Sequence, residues 1–438
     1  MVRALSALAS VLVLIVGTAC SATPAATGPV QVLLFGDPEE LAAYRTLIDA
    51  YHEQSGDKRV ELVEASDRAD LIARLSTSIA GGKPPDVFGM NYRYYGQFAA
   101  KNAIEPLDDR LGTGPGQLDA TELYPEALEA FQWQGKQLCL PQNVSSLVVY
   151  YNRALFGKFG VPEPKPDWTW NDLVATAQAM TRDARGLPIQ GGESDAASPV
   201  ATWGLGVEPT LIRIAPFVWS AGGDIVDDPD KPTRLTFDDP VAREALRQFI
   251  DLRVAYGVVP TDQEVEAQDD ETRFANGGLA MLLSSRRLTP TLRAVDGLDW
   301  DVAPLPVHQE PAGVLHSDGY CVTSASGRQD AAWDFVRYAL GPDGQRIIAG
   351  TGRTVPSNMA VSRSAAFLDP TKPPRNAQVF LDAIGTIRRT PTISTWPEIE
   401  DVTNGILENG LYRGDSLDTV ITALDEQTRP LFARAESS

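Results

Sequence analysis

The sequence predicts an α/β protein built from two units, and three observations carry that prediction. The chain has 438 residues, more than one hydrophobic core organises well, so two domains of ordinary size are expected. From residue 30 onward, apolar runs of strand length alternate with stretches of helical periodicity, the order that gives parallel strands covered by helices. The composition, with 43% hydrophobic and 22% charged residues, eight Trp, twelve Tyr and fourteen Phe, is too apolar and aromatic for a disordered chain. Lys plus Arg number 38 against 58 Asp plus Glu, a formal charge of −20. So acidic a surface repels phosphate backbones and anionic lipid heads, which argues against nucleic acid as a partner.

The elements follow in order. Residues 1–20, MVRALSALASVLVLIVGTAC, place Arg3 before an apolar run of signal-peptide length, too short for a membrane span. Small residues then precede Cys20. The pattern resembles a bacterial lipoprotein signal, with Cys20 as the lipidated new N-terminus; the alternative is an ordinary secretory leader cut near a cysteine. Residues 21–29, opening SATPAATG, are small and polar, as a tether is. VQVLLF (30–35), VELVE (60–64) and PDVFGM (85–90) read as strands, and between them Leu41, Tyr44, Leu47, Ile48 and Tyr51, then Leu71, Ile72, Leu75 and Ile79, mark helical faces.

A second unit begins near 145 with the strand LVVYYN (147–152), followed by a helix over 169–180 that Thr169 caps. FDDP (237–240) opens another helix with an Asp cap and Pro240 in its first turn. GGLAMLL (277–283), WDVAPLP (300–306) and GYCVTS (319–324) read as strands, the last followed by a helix carrying Trp333. Phe88, Trp168 and Trp333 are assigned to the core. Export would place Cys139 and Cys321 in an oxidising space, where they either form a disulfide or stay as buried thiols.

Catalytic signatures are missing. No phosphate-binding loop, dinucleotide fingerprint, zinc-protease motif or nucleophile elbow occurs. His52, His308 and His316 lack metal-ligand spacing, so neither metal nor cofactor is expected. SGDK (55–58) imitates the S-x-x-K of penicillin-binding enzymes, but the chain has no K-T-G to complete the site.

Five segments, GGKPPDVFGM (81–90), the run 150–181, the run 219–252, FANGGLAMLL (274–283), and APLP (303–306) with the GYCVTS strand and its helix, together resemble family 1 extracellular solute-binding proteins of ABC importers, the group that includes maltose-binding protein. The resemblance implies a two-lobe, Venus-flytrap fold with a multi-strand hinge. One lobe would comprise 30–144 with 312–358 and the other 145–311 with 359–438, the chain crossing near 143–147, 308–313 and 355–362.

Open α/β sheets bind ligands at the carboxyl ends of their strands. The residues there, and those matching the family's contact positions, are Asp37, Asn91, Tyr92, Arg93, Asn143, Ser145, Glu208, Trp219, Gly223, Asp318, Arg353 and Trp396. Asp37 matches a position where the family presents a sugar-binding acid, and Trp396 one where a Trp stacks on a sugar ring. Trp219 and Trp396 are expected in or beside the cleft, contributing to binding and little to stability.

Sugars suit such a set, offering ring faces to aromatics and hydroxyls to carboxylates. Gly89 stands where maltose-binding protein has an aromatic, which argues against maltodextrin. The resemblance therefore implies a monomeric, exported and lipid-anchored subunit that captures a mono- or oligosaccharide and delivers it to ABC permease subunits without chemistry. An acid-rich cleft would also suit an amino sugar. The rivals are a glycerophosphodiester- or peptide-binding protein and a secreted glycoside hydrolase. Phosphate capture calls for more strand-end cations than Arg93 and Arg353.

Overall fold

The structure, a computed structural model, describes residues 28–56, 59–189 and 199–435. Cys20, the leader, most of the tether, and Asp57 and Lys58 of the SGDK sequence lie outside the described residues.

Two five-stranded sheets organise the chain. In the first, Val30–Phe35 lies between Val60–Ala65 and Val87–Asn91, parallel to both. The linking helices, Pro38–Ser55 and Arg68–Ala80, complete the expected β-α-β-α-β order. The sheet then continues with Asp318–Val322 and Cys139–Pro141, each antiparallel to its neighbour. In the second sheet the order is Trp300–Ala303, Leu147–Asn152, Leu279–Ser285, Val200–Gly206 and Arg182–Asp183, with only the Leu279–Ser285 and Val200–Gly206 pair parallel. The sheets are thus mixed rather than wholly parallel. Asp318–Val322 re-enters the first sheet after an excursion of the chain through the second, so no covering helix dictates its direction.

Local chemistry agrees with the boundaries. Thr169 and Asp172 exchange side-chain to backbone bonds in a capping box at the start of the Trp170–Met180 helix. Asp239 accepts from the amides of Val241 and Ala242 at the start of Pro240–Val254. Phe88, Trp168 and Trp333 are all buried, the last donating its indole N–H to the Gly116 carbonyl at 2.7 Å. The C-terminal helices, Trp396–Glu408 and Leu417–Phe432, pack on each other. The first of them also touches Leu211–Ser220 from the second-sheet side and Tyr92–Ala99 from the first. No helix among the described residues is long and apolar enough to cross a membrane.

The connections between the sheets are themselves paired. Ser145 and His316 exchange backbone hydrogen bonds at 2.9 and 2.8 Å, and Val144 N–H donates to the Val355 carbonyl at 3.0 Å. Gly313–Val314 runs parallel to Ile387–Arg388 beside them.

Cys139 and Cys321 face each other in the antiparallel register and are joined by a disulfide that spans 182 residues of sequence. It ties a strand that leaves the first sheet to one that returns to it. Closing so long a loop removes much unfolded-state entropy, about 2–5 kcal/mol for a native bridge. Replacing both cysteines by Ser is expected to lower the Tm without changing the far-ultraviolet circular dichroism. A double variant that melts with the parent would show the bridge to be dispensable.

Candidate functional site

The carboxyl ends of strands from both sheets converge on one cavity of about 470 Å³, within the range of small-ligand sites. Phe35 and Asn91 end two strands of the first sheet, and Ser285 ends the central strand of the second. Glu208, Thr210 and Arg213 follow the Val200–Gly206 strand, while Asn143, Ser145, His316 and Asp318 come from the paired connections.

On the first-sheet side, Asp318 is held by amides: Asn91 Nδ2 donates to Oδ1 at 3.1 Å and Asn143 Nδ2 to Oδ2 at 3.4 Å. Asn91 also accepts from Arg93 Nε at 3.2 Å. The Arg93 guanidinium then grips both oxygens of Glu400, at 2.9 and 2.7 Å, in an ion pair whose members are 9% and 3% exposed. Removing one partner of so buried a pair would strand the other's charge. Arg353 pairs with Asp37 and, at 2.8 Å, with Glu40. Burial pushes the Glu40 carboxyl up to about 7, helped by Asp318 and Asp37, although Arg353 and the Tyr44 hydroxyl work against it.

On the second-sheet side, Arg213 pairs with Glu208 at 3.1 Å. Arg287 pairs with Glu271, which does not line the cavity. Arg286 is fully buried, its guanidinium 4.5 and 4.7 Å from the ring centres of Phe367 and Phe380 and its Nε donating to the Gly352 carbonyl at 2.7 Å. Burial pulls its pKa down to about 9. His316 is held well below the usual imidazole value by burial and then by Arg213, Arg93, Arg287 and Arg68, so it is neutral. Six arginines thus line the cavity against four carboxylates, Glu40, Glu208, Asp318 and Glu400.

Of the residues singled out from the sequence, Asn91, Arg93, Asn143, Ser145, Glu208, Asp318 and Arg353 line this cavity together. Asp37 stands behind Arg353 and reaches the site only through that ion pair. Four others lie off the wall. Tyr92 is buried, its hydroxyl bonded to Thr390 Oγ1 at 3.0 Å. Trp219 is 1% exposed, donating its indole N–H to Asp224 at 3.0 Å, with Arg388 over its ring. Gly223 belongs to the turn after that helix, its N–H bonded to the Val218 carbonyl. Trp396 has no exposed surface, but its indole N–H donates to Glu400 Oε1 at 3.0 Å. Both tryptophans are core residues because their helices turn these faces inward.

Sequence reasoning missed Arg68, Tyr94, Arg213, Arg286, Arg287, Glu400 and Asn404 as lining residues. The signal for Arg286 and Arg287 was present: they follow the Leu279–Ser285 strand directly. Arg68 likewise opens the helix after Val60–Ala65. An acid-dominated cleft is not what these residues build; the arginines prevail.

Comparison with known proteins accords with this geometry. Residues 46–374 match the family described as bacterial extracellular solute-binding protein. The chain belongs to that family. This solute-binding protein is similar to the diacetylchitobiose binding protein DasA of Streptomyces coelicolor, 25% identical over 344 residues, 76% of this chain and 73% of that one. Its fold is similar to an ABC substrate-binding protein from Listeria monocytogenes in complex with cycloalternan, with TM-score 0.79 and 25% identity over 92% of this chain and 98% of that chain. UgpB from Mycobacterium tuberculosis, in complex with glycerophosphocholine, gives TM-score 0.77 at 21% identity, covering 93% and 99%. The two-lobe architecture is that of these binding proteins.

Two outcomes follow for this solute-binding protein. Trp219→Ala and Trp396→Ala are each expected to cost about 3–5 kcal/mol of stability as buried aromatics, read as a lowered midpoint in chemical denaturation; an unchanged midpoint would put the ring back at the surface. The second concerns pH. Glu40 takes up a proton more readily folded than unfolded, so its contribution to stability is largest at low pH and is lost as the pH rises from about 4.5 through 7. Glu40→Gln should therefore raise the Tm relative to the parent by more at pH 8 than at pH 5, and equal shifts at both would refute the buried-acid account.

Proposed function

We propose that this protein is the solute-capturing subunit of an ABC importer, and that its solute is a carbohydrate, a mono- or oligosaccharide, enclosed between the lobes. The observation that carries the reading is the cavity itself, walled by strand ends from two separate sheets. Membership of an extracellular solute-binding family supports the importer role. The names of DasA, a diacetylchitobiose binding protein, and of the cycloalternan complex support a sugar.

In this reading the first lobe comprises 30–144 with 312–358 and the second 145–311 with 359–438. Asn91, Asn143, Asp318 and Glu208 meet sugar hydroxyls through paired acceptors and donors. The rings of Phe35 and Tyr94, both half-buried beside the cavity, take the stacking role expected of the tryptophans. The protein performs no chemistry: it binds, closes, and hands the solute to the permease as a monomer. Cys20 carries a lipid that holds it at the outer face of the cytoplasmic membrane.

A solute touching both lobes favours the closed state. Small-angle scattering with a saturating matched sugar should give a smaller radius of gyration, and the sugar should raise the Tm because it binds only folded protein. Tight binding without compaction would confine the site to one lobe. Cys20→Ser should move the protein from the membrane fraction to the soluble one, and an unchanged partition would end the lipid-anchor reading.

A further inference from the structure

The chain is strongly acidic, yet its cavity gathers arginines from both lobes. We propose that the captured solute bears an anionic group, a carboxylate or a phosphate, seated between Arg213 and Arg287, with Arg68 facing it from the first lobe. The inference rests on the capture reading and narrows its substrate class.

Four observations converge. Arg213 is 4% exposed and its Nε has no hydrogen-bond partner, although it lines the cavity. Its ion-pair partner, Glu208, is 53% exposed at the margin and engages another nitrogen, Nη2. The ten-residue helix that carries Arg213 starts without an acidic residue in its first turn, and its N-cap, Thr210, makes no capping bond and leaves Oγ1 unpartnered. At that end the Leu211 N–H already donates to Asn404 Oδ1 at 2.8 Å and the Arg213 N–H to the Thr210 carbonyl at 2.9 Å, so the unpartnered groups beside the cavity are the side-chain atoms Thr210 Oγ1 and Arg213 Nε. Beside it, His316 Nε2 is also without a partner.

Arg68 supplies the fourth observation. It stacks on Tyr94, 4.9 Å from the ring centre, and donates to that hydroxyl, but makes no ion pair among the described residues. The carboxylates that line the cavity are already engaged by arginines or amides, so none is free to neutralise it. Closing the lobes around a neutral solute would bring Arg68 toward Arg213 and Arg287; Glu208 and Glu271 are already committed to those two and Asp401 acts on Arg68, so the arginines gather without a further negative charge among them. An anionic group supplies that charge and accepts the idle donors. Charge-assisted bonds to arginine outweigh neutral ones, and the planar guanidinium matches carboxylate and phosphate alike.

The test uses the mature protein and matched probes: glucose against glucuronate, glucose against glucose 6-phosphate, and glycerophosphocholine. Isothermal titration should show the anionic member binding at least about tenfold tighter than glucose, the size of one good charge-assisted contact. The carboxylate and phosphate arms identify which anion is preferred. Arg213→Gln should abolish the preference. Arg68→Gln, at an exposed position, should reduce it while leaving the Tm within a degree or two of the parent. Equal or tighter binding of the neutral sugars, with maltotriose and diacetylchitobiose included, would overturn the anion subsite and leave the capture reading standing. Binding of neither class would overturn both.

Discussion

The pairing of the connections between the two sheets is the constraint on which the rest of the molecule depends. Ser145 and His316 are hydrogen-bonded backbone to backbone, and Val144 is bonded to Val355 alongside them. These bonds hold three distant stretches of chain in one band between the sheets. Strand ends of both sheets face one cavity beside this band. Asn143, Ser145, His316, Asp318 and Arg353 reach the cavity because they sit in or beside this band. The Cys139–Cys321 bridge anchors the first-sheet end of two of these connections.

Buried electrostatics determine how the site is furnished. Arg93 and Glu400 come from two helices that pack on each other and satisfy each other at low exposure. Asn91 and Trp396 supply the remaining bonds to the pair. A buried ion pair contributes little net stability, but it fixes geometry because misplacing either member is costly. Trp396 thus serves the site indirectly, by orienting a carboxylate that lines it. Arg353 plays a comparable part for Asp37 and Glu40, holding two acids near one another that would otherwise repel. The overall acidity of the chain is no guide to this interior: the surface carries the negative charge, while the cavity concentrates guanidinium groups.

Much of the architecture was legible in the residues themselves. The β-α-β-α-β opening follows from periodicity, and the helix starts at Thr169 and Asp239 follow from side chains that cap free N–H groups. The strand-end rule located Asn91, Arg93 and Glu208, because that rule depends only on where a strand stops; Asn143 and Ser145 were read from the first chain crossing, and Asp318 and Arg353 from the flanks of the third segment. It could have located Arg68, Arg286 and Arg287 by the same logic, since each follows a strand of one of the two main sheets.

What the sequence by itself determined, then, is what short-range physics controls: element type, caps, the alternation of the first three strands, and the polar character of strand ends. Tertiary structure alone decided the rest. Which face of a helix turns inward depends on neighbours far along the chain, so Trp219 and Trp396 became core residues and not cavity walls. Glu400 entered the site because its helix packs against Tyr92–Ala99, three hundred residues earlier in the chain. The sign of charge inside the cavity is a sum over side chains brought together from both lobes, and no local window of sequence contains that sum.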